Sequence, residues 1–205
     1  MSVVNKYIVL SFYDANEALK FVEYLRKSIS NTNLDLVVRG NKVKITIHGT
    51  KGDIEDILQR IKERVSDWRR SRQRVKGLYT IPVSFALSMA SLKISIPFKA
   101  FIDALNLQGY KSTLKGNIVY TEIEAERLIK ELERFSEHYS KVIYLDAYPI
   151  VKRLIAIVMF VESLEIEESI ELLRNLGLID DNEEEKLRLK TSYEEALKVL
   201  RRVSE

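Results

Sequence analysis

The chain has 205 residues, of which 46% are hydrophobic and 31% are charged, and its formal net charge is +3. This is enough apolar material for one large core or two small ones, and the lack of cysteine excludes disulfides, thiolate metal sites, iron–sulfur clusters and cysteine nucleophiles. The longest apolar run, 154–161, is too short to span a membrane, and the apolar start of the chain alternates like a strand rather than a signal peptide. The expected compartment is the cytoplasm.

The first 68 residues predict the order β-α-β-β-α. Alternating apolar residues indicate three strands, and apolar residues at helical spacing indicate two helices, the first capped by Asp14. The Gly40-Asn41 pair predicts a two-residue hairpin turn between the second and third strands. The predicted elements are a strand at 6–12, a helix at 15–29, strands at 34–39 and 42–48, and a long helix from about Gly52. We expect a three-stranded sheet with both helices on one face.

The rest of the chain predicts a mostly helical lobe with two small hairpins. The predicted elements are a strand at 79–83, helices at 85–90, 97–107, 122–139 and 150–163, one that ends at Gly177 and one from Ser192, and hairpins at 110–121 and after Gly177. The expected fold class is α+β. The first expected domain is 1–76, a β-α-β-β-α lobe that ends in a basic helix. The second is 77–205, the helical lobe, which a sub-boundary near residue 146 can divide further.

The second lobe contains two helix–hairpin–helix units of similar order, at 102–132 and 170–200. Both have a Gly after the first helix and a Thr before the second. An internal duplication and two unrelated units with the same turn chemistry both explain this pattern.

Three segments of the second lobe carry a resemblance to a known family. They are the Leu107-x-Gly109-Tyr110 turn, the Ala147-Tyr148-Pro149-Ile150-Val151-Lys152-Arg153-Leu154-Ile155-Ala156 segment, and Gly177-Leu178-Ile179 with the acidic turn after it. The chain resembles an archaeal family of unknown function, over its whole length and most clearly over residues 110–201. The resemblance implies an archaeal origin and no known activity. Abundant charged residues and scarce Gly, Gln and Cys also favour a thermophilic source, although a helix-rich mesophilic protein has a similar composition.

A second resemblance covers residues 5–68. Their strand and helix pattern, with Lys44-Ile45-Thr46-Ile47-His48-Gly49-Thr50 before a helix, resembles the small dimerising subunit of the archaeal KEOPS tRNA-modification complex. Members of that family pair through sheets and helices. This chain departs from the pattern, because a basic extension at 69–76 and a second lobe follow, so the function is not carried over.

The residues that usually carry catalysis or metal binding form no recognisable motif. His48 and His138 have no matched carboxylate or second histidine at ligand spacing, and Gly49-Thr50-Lys51-Gly52 lacks the spacing of a phosphate-binding loop. The acidic run 180–185 lacks the central glycine of a calcium loop and is typical of a solvated turn. We predict a protein that is not an enzyme and has no catalytic residue, metal or cofactor.

The most informative feature is a basic run from Arg60 to Lys76. It carries eight basic and two acidic side chains, and residues 1–76 have a net charge of +7, whereas residues 162–205 have a net charge of −6. Arginine predominates in the run, which suits bidentate contacts to phosphate. Alternation in the sheet also predicts an outward face with Tyr7, Lys42 and Lys44, a composition typical of proteins that bind single-stranded RNA. The predicted nucleic-acid-binding residues are Arg60, Arg64, Arg69, Arg70, Arg72, Arg74, Lys76, Lys42, Lys44 and Tyr7.

We therefore expect a non-catalytic RNA-binding protein, associated with ribosomal or transfer RNA or with their processing. The alternative is a structural or interaction protein that dimerises or docks onto a larger complex, because the acidic C-terminal segment can also satisfy the basic run. Trp68 is either a buried core residue or an exposed platform on which bases stack. It continues the apolar stripe of its helix, so we expect it to be buried near the seam between the lobes with a polar partner for its indole N–H.

Overall fold

The structure is a computed structural model and describes residues 4–29, 33–181 and 186–204. Its elements confirm the α+β class and the early β-α-β-β-α order. In chain order they are β1 (Val4–Ser11), α1 (Ala15–Ser28), β2 (Leu34–Arg39), β3 (Lys42–Gly49), α2 (Lys51–Arg70), β4 (Arg74–Val75), β5 (Leu78–Pro82), α3 (Val83–Met89), α4 (Phe98–Leu107), β6 (Ser112–Lys115), β7 (Ile118–Thr121), α5 (Ala125–Val142), α6 (Pro149–Glu162), α7 (Ile166–Asn175), β8 (Ile179–Asp181), β9 (Leu187–Leu189) and α8 (Tyr193–Ser204).

The chain divides into two compact units. The first consists of the described part of residues 1–73 together with 81–89, and the second consists of residues 74–80 together with the described part of 90–205. The predicted domain bounds, 1–76 and 77–205, and the sub-boundary near residue 146 stay predictions.

The first unit contains an antiparallel sheet with β3 in the centre, in the order β1-β3-β2. Val43, Ile45 and Ile47 of β3 are fully buried, and both α1 and α2 pack against this strand. Side chains of a strand alternate between the two faces, so both helices lie on the face to which these three residues point. The prediction of a sheet covered on one face is confirmed.

Side-chain caps explain where the two helices of the first unit begin. The Asp14 carboxylate accepts a hydrogen bond from the Glu17 backbone N–H, at 2.7 Å. Thr50 and Asp53 form a capping box at the start of α2, in which each side chain accepts from the other residue's backbone N–H. These contacts satisfy N–H groups that have no partner within the helix.

An aromatic cluster lies between the helices of the first unit. The Trp68 side chain is 2% exposed, and its ring lies 5.5 Å from Phe21, 5.8 Å from Tyr24 and 5.9 Å from Phe85, between ring centroids. The indole N–H donates to the Glu17 carboxylate at 3.3 Å. The predicted burial and polar partner are confirmed. Phe85 comes from α3, which follows the predicted boundary at residue 76 but belongs to the same compact unit as Trp68.

We expected the basic run to be helical to its end, but only its first part is helical. Helix α2 ends at Arg70, and a two-residue turn at Lys76-Gly77 joins β4 to β5, so that Val75 pairs with Leu78. Both turn residues have positive φ angles, 52° and 83°, which is the type I′ geometry that matches the twist of a hairpin. Glycine at the second position adopts this positive φ angle without steric cost. The chain can therefore form a hairpin here, and strand pairing replaces the last predicted helical turn.

The second unit is built around α6. Its residues 154–160 are all buried, and α4, α5 and α7 pack against it. The hairpins β6–β7 and β8–β9 are the two that the sequence predicts. The tip of the second one, residues 182–185, lies outside the described residues. Nowhere in the described ranges does a helix have the length and hydropathy needed to cross a membrane.

We expect His138 on α5 to make the stability of the second unit depend on pH. Burial lowers the pKa of its imidazole, and Lys141 and Arg134 lower it further against the smaller opposing effect of Glu165 and Glu137. The unfolded chain therefore binds a proton more readily, so stability is lost as the pH falls below the ordinary histidine pKa of about 6.5. We expect His138→Gln to reduce the difference between the urea midpoints at pH 7.5 and pH 5.5. An unchanged difference would contradict this assignment.

Candidate nucleic-acid interface

We call the side of the three-stranded sheet that faces away from α1 and α2 the open sheet face. Its centre is apolar and aromatic, since Tyr7 is 64% exposed, and Val9 and Val37 are also exposed. The strand register places Val9 and Val37 on either side of Lys44, and Tyr7 beside Thr46. The open sheet face carries the side chains of Asn5, Tyr7, Val9, Asp35, Val37, Arg39, Lys42, Lys44, Thr46 and His48.

Tyr7 and Lys44 form a pair in the middle of the open sheet face. The Lys44 ammonium nitrogen lies 4.8 Å from the centroid of the Tyr7 ring, within the range of a cation–π contact. Lys42 is exposed one step along the same face of β3, opposite Arg39. This arrangement places an exposed aromatic ring next to several cations, which is what stacking of a base and pairing of its phosphate require.

His48 occupies the other end of the open sheet face. One ring nitrogen lies 2.8 Å from Asn5 Oδ1 and the other 2.7 Å from Asp35 Oδ2, so the imidazole bridges all three strands. Its contacts order this end of the sheet. The lysine and arginine side chains of the open sheet face lie at its centre, with Lys44, and at the opposite end, with Lys42 and Arg39.

Three of the predicted arginines make contacts within their own unit. Arg64 lies 3.5 Å from the Asp67 carboxylate, and Arg72 lies 3.3 Å from Glu17 with its guanidinium carbon 3.4 Å from the centroid of the Trp68 ring. In the second unit, Arg74 donates to the hydroxyl oxygen of Tyr79 at 2.6 Å and stacks on that ring. These guanidinium groups therefore support the local structure of the protein itself.

The remaining predicted residues lie in three separate places. Tyr7, Lys42 and Lys44 lie on the open sheet face, whereas α2 packs on the other face and carries Arg60, Arg69 and Arg70 exposed on its surface. We expected the hairpin and the basic run to form one surface, and in the structure they do not. Lys76 is exposed at the hairpin turn of the second unit.

A cleft that the sequence did not reveal lies between β1 and the C-terminal half of α2. We call it the β1 groove; its volume is about 530 Å³. Its apolar lining comes from the helix-facing side of β1 and from α2, and the described residues that line it include cations and no carboxylate. The lining residues are Ile8, Leu10, Ile61, Lys62, Val65, Ser66, Arg69, Arg70 and Gln73. In the sequence, Ile8 and Leu10 have the pattern of ordinary core residues. They are half-buried because β1 is an outer strand of the sheet, and this position could not be read from the sequence.

Among the described residues, the ionisable groups with clearly displaced pKa values lie away from the open sheet face and the β1 groove. Burial raises the pKa of Tyr24 to about 12. Burial also raises the pKa of Asp103 and that of Tyr193, whose hydroxyl donates to the Asp103 carboxylate at 3.0 Å. Within the described ranges, no group of three or more acidic, histidine or cysteine side chains is placed to hold a metal ion.

Comparison with known proteins agrees with the first resemblance seen in the sequence. No curated protein and no solved structure matches the chain, so the likeness of residues 5–68 to the KEOPS subunit stays a prediction. A family model with the description "Uncharacterized protein conserved in archaea (DUF2067)" matches residues 10–198. Because this match covers nearly the whole chain, the protein belongs to that archaeal family.

Proposed function

We propose that this protein is a non-catalytic RNA-binding protein, which binds an unpaired segment of a structured RNA such as ribosomal or transfer RNA. The observation that carries the proposal is the open sheet face, with exposed Tyr7 beside the Lys44 ammonium group. Bases of single-stranded RNA stack on exposed aromatic rings of sheets, and lysines beside them neutralise the phosphates. A base-paired helix offers no free base faces, so the proposal specifies an unpaired segment.

The charge distribution supports the same proposal. Residues 1–76 carry a net charge of +7, and the exposed arginines of α2 add to the positive potential around the first unit. A positive potential of this kind raises the rate at which a polyanion encounters the protein. The arginines of α2 thus contribute at long range, because they lie on the opposite side of the sheet from Tyr7.

The ring of Tyr7 provides the direct test. We expect Tyr7→Ala to weaken binding of a fluorescent oligouridine by about 1–3 kcal/mol through loss of base stacking. Tyr7→Phe keeps the ring and is expected to bind as the wild type does. Both melting temperatures should stay close to the wild-type value, since Tyr7 is largely exposed. Equal affinities of Tyr7→Ala and wild type in an anisotropy titration would refute the open sheet face as the site.

The two lysines are tested in the same titration at several salt concentrations. Removal of each phosphate contact lowers the slope of log affinity against log salt by about 0.7 for single strands. We therefore expect the Lys42→Ala, Lys44→Ala double variant to reduce the slope by about 1.4. A matched double variant of exposed lysines in the second unit, Lys111→Ala and Lys115→Ala, should leave the slope unchanged.

The second candidate function is that of an interaction protein, which dimerises or docks onto a complex. The observation that favours it is the outer edge of β1, with which no described strand pairs. Strands with such free edges are usually covered in the native assembly.

A further inference from the structure

We infer that the outer edge of β1 accepts an extended acidic segment of another protein, which joins the sheet as a fourth strand and fills the β1 groove. This inference deepens the second candidate function, since it names the class of partner, and it does not depend on RNA binding.

The hydrogen-bond pattern shows which backbone groups of β1 face its outer edge. The Phe12 N–H donates to the Asn41 carbonyl at 2.9 Å, which makes Phe12 and Asn41 a hydrogen-bonded pair of the antiparallel ladder. Such pairs alternate along a ladder, and the register is continuous, so the even-numbered residues of β1 bond to β3. The odd-numbered residues direct their N–H and C=O groups outward; they are Asn5, Tyr7, Val9 and Ser11.

Strand β1 has few of the features that normally protect an edge, and its one charged residue, Lys6, is among them. It has eight residues with one lysine and no proline, and its pairing with β3 contains no bulge. Native edge strands are usually short, charged, bulged or covered, because a long regular edge invites another strand. The opposite edge, β2, is shorter, and α1 packs against it. Among the described strands of this sheet, β1 is therefore the one prepared for strand addition.

The β1 groove determines the chemistry of the added strand. Alternate side chains of that strand would point to the helix side of the sheet and enter the groove. There they would meet the apolar side chains of Leu10 and Val65, and the cationic groups of Lys62 and Arg69. Because the described residues of the lining include no carboxylate, acidic side chains gain attraction in the groove and basic side chains are repelled. The matching segment is extended and carries acidic and apolar residues on one face.

A second copy of this chain fits the edge less well. Antiparallel pairing of two β1 strands around a twofold axis would place α2 of both copies on the same side of the joined sheet. Lys62 and Arg69 of each copy would then face the same residues of the other copy across the seam. The repulsion between these like charges disfavours a homodimer and favours an acidic partner.

The experiment uses two synthetic fluorescent peptides and the full chain. The acidic probe is Thr-Glu-Thr-Val-Thr-Glu-Thr, and the basic probe has lysine in place of both glutamates. Val9→Pro removes an outward N–H while the even-numbered residues keep their bonds to β3, and proline is tolerated at such edge positions. Val9→Thr is the matched control, because it changes the same exposed side chain and keeps the N–H.

We expect the wild type and Val9→Thr to bind the acidic probe, Val9→Pro to bind it at least tenfold more weakly, and none of them to bind the basic probe. The Lys62→Glu, Arg69→Glu double variant should reverse the preference between the probes. Equal affinity of Val9→Pro and Val9→Thr, or equal binding of both probes to the wild type, would overturn the inference. If light scattering shows a dimer that Val9→Pro dissociates, the partner strand comes from a second copy of this chain. That result would overturn the inference of an acidic partner but would still support an interaction function. Loss of oligouridine binding in Tyr7→Ala is measured separately, so RNA binding and strand addition can fail independently.

Discussion

Replacement of Trp68 by alanine is expected to lower the free energy of unfolding of the first unit by about 3–5 kcal/mol, the range for a large buried aromatic residue. The ring is almost fully buried and contacts the rings of Phe21, Tyr24 and Phe85. Its removal leaves a cavity, and it also leaves the guanidinium group of Arg72 without the ring on which it lies. Urea unfolding followed by circular dichroism measures the effect.

Trp68→Phe is the control for this variant. Phenylalanine keeps most of the aromatic packing but cannot donate to Glu17, so we expect a smaller loss of stability than for alanine. Because Trp68 is buried, either variant should bind oligouridine normally under conditions in which it is fully folded. A normal melting temperature together with lost RNA binding would show that Trp68 is a stacking platform instead.

Replacement of Phe160 by alanine is expected to cost the second unit a similar 3–5 kcal/mol. Phe160 is fully buried at the end of α6, and its ring lies 5.5 Å from Phe135 and 6.5 Å from Phe101. The guanidinium group of Arg134 stacks on the ring at 4.1 Å and also donates to the Phe160 carbonyl. The truncation therefore removes apolar packing and a cation–π contact together.

A matched truncation at the surface is the control. Leu114→Ala also shortens an apolar side chain of the second unit, but Leu114 is 36% exposed on the β6 strand, so we expect a change near 0.5 kcal/mol. The pair Trp68→Ala and Phe160→Ala also tests the predicted domains. If the two units unfold independently, each variant shifts one transition and leaves the other in place. A single transition that both variants shift equally would refute independent domains.

Much of the local structure was predictable because it depends on neighbouring residues. The Gly40-Asn41 turn sets the register of the hairpin, and Asp14 supplies the cap of α1. Period-two alternation alone assigns Val43 to the buried side of the sheet and Lys44 to the exposed side. The same alternation predicted that Tyr7 is exposed, so the central pair of the candidate site was accessible from the sequence.

The candidate interface was harder to predict from the sequence, because it depends on which side chains contact one another in the folded chain. Charge density identified the basic run, but not that Arg72 covers Trp68 or that Arg74 stacks on Tyr79. Arg72 lies just beyond the last residue of α2, and Arg74 pairs with Tyr79 across the β4–β5 hairpin, which the sequence did not predict. Without these contacts, a structural arginine and a ligand-binding arginine look the same in the sequence.

From the sequence alone we could predict the fold class, most helices and strands, the burial of Trp68 and the outward position of Tyr7, since each follows from local periodicity or a local turn signal. Only the folded chain shows that β1 lies at an edge of the sheet, that the β1 groove opens beside it, and that Lys44 and Arg69 lie on opposite sides of this sheet. Strand order depends on pairing between segments about forty residues apart, such as Ile8 with Ile45, and local periodicity contains no information about such pairing.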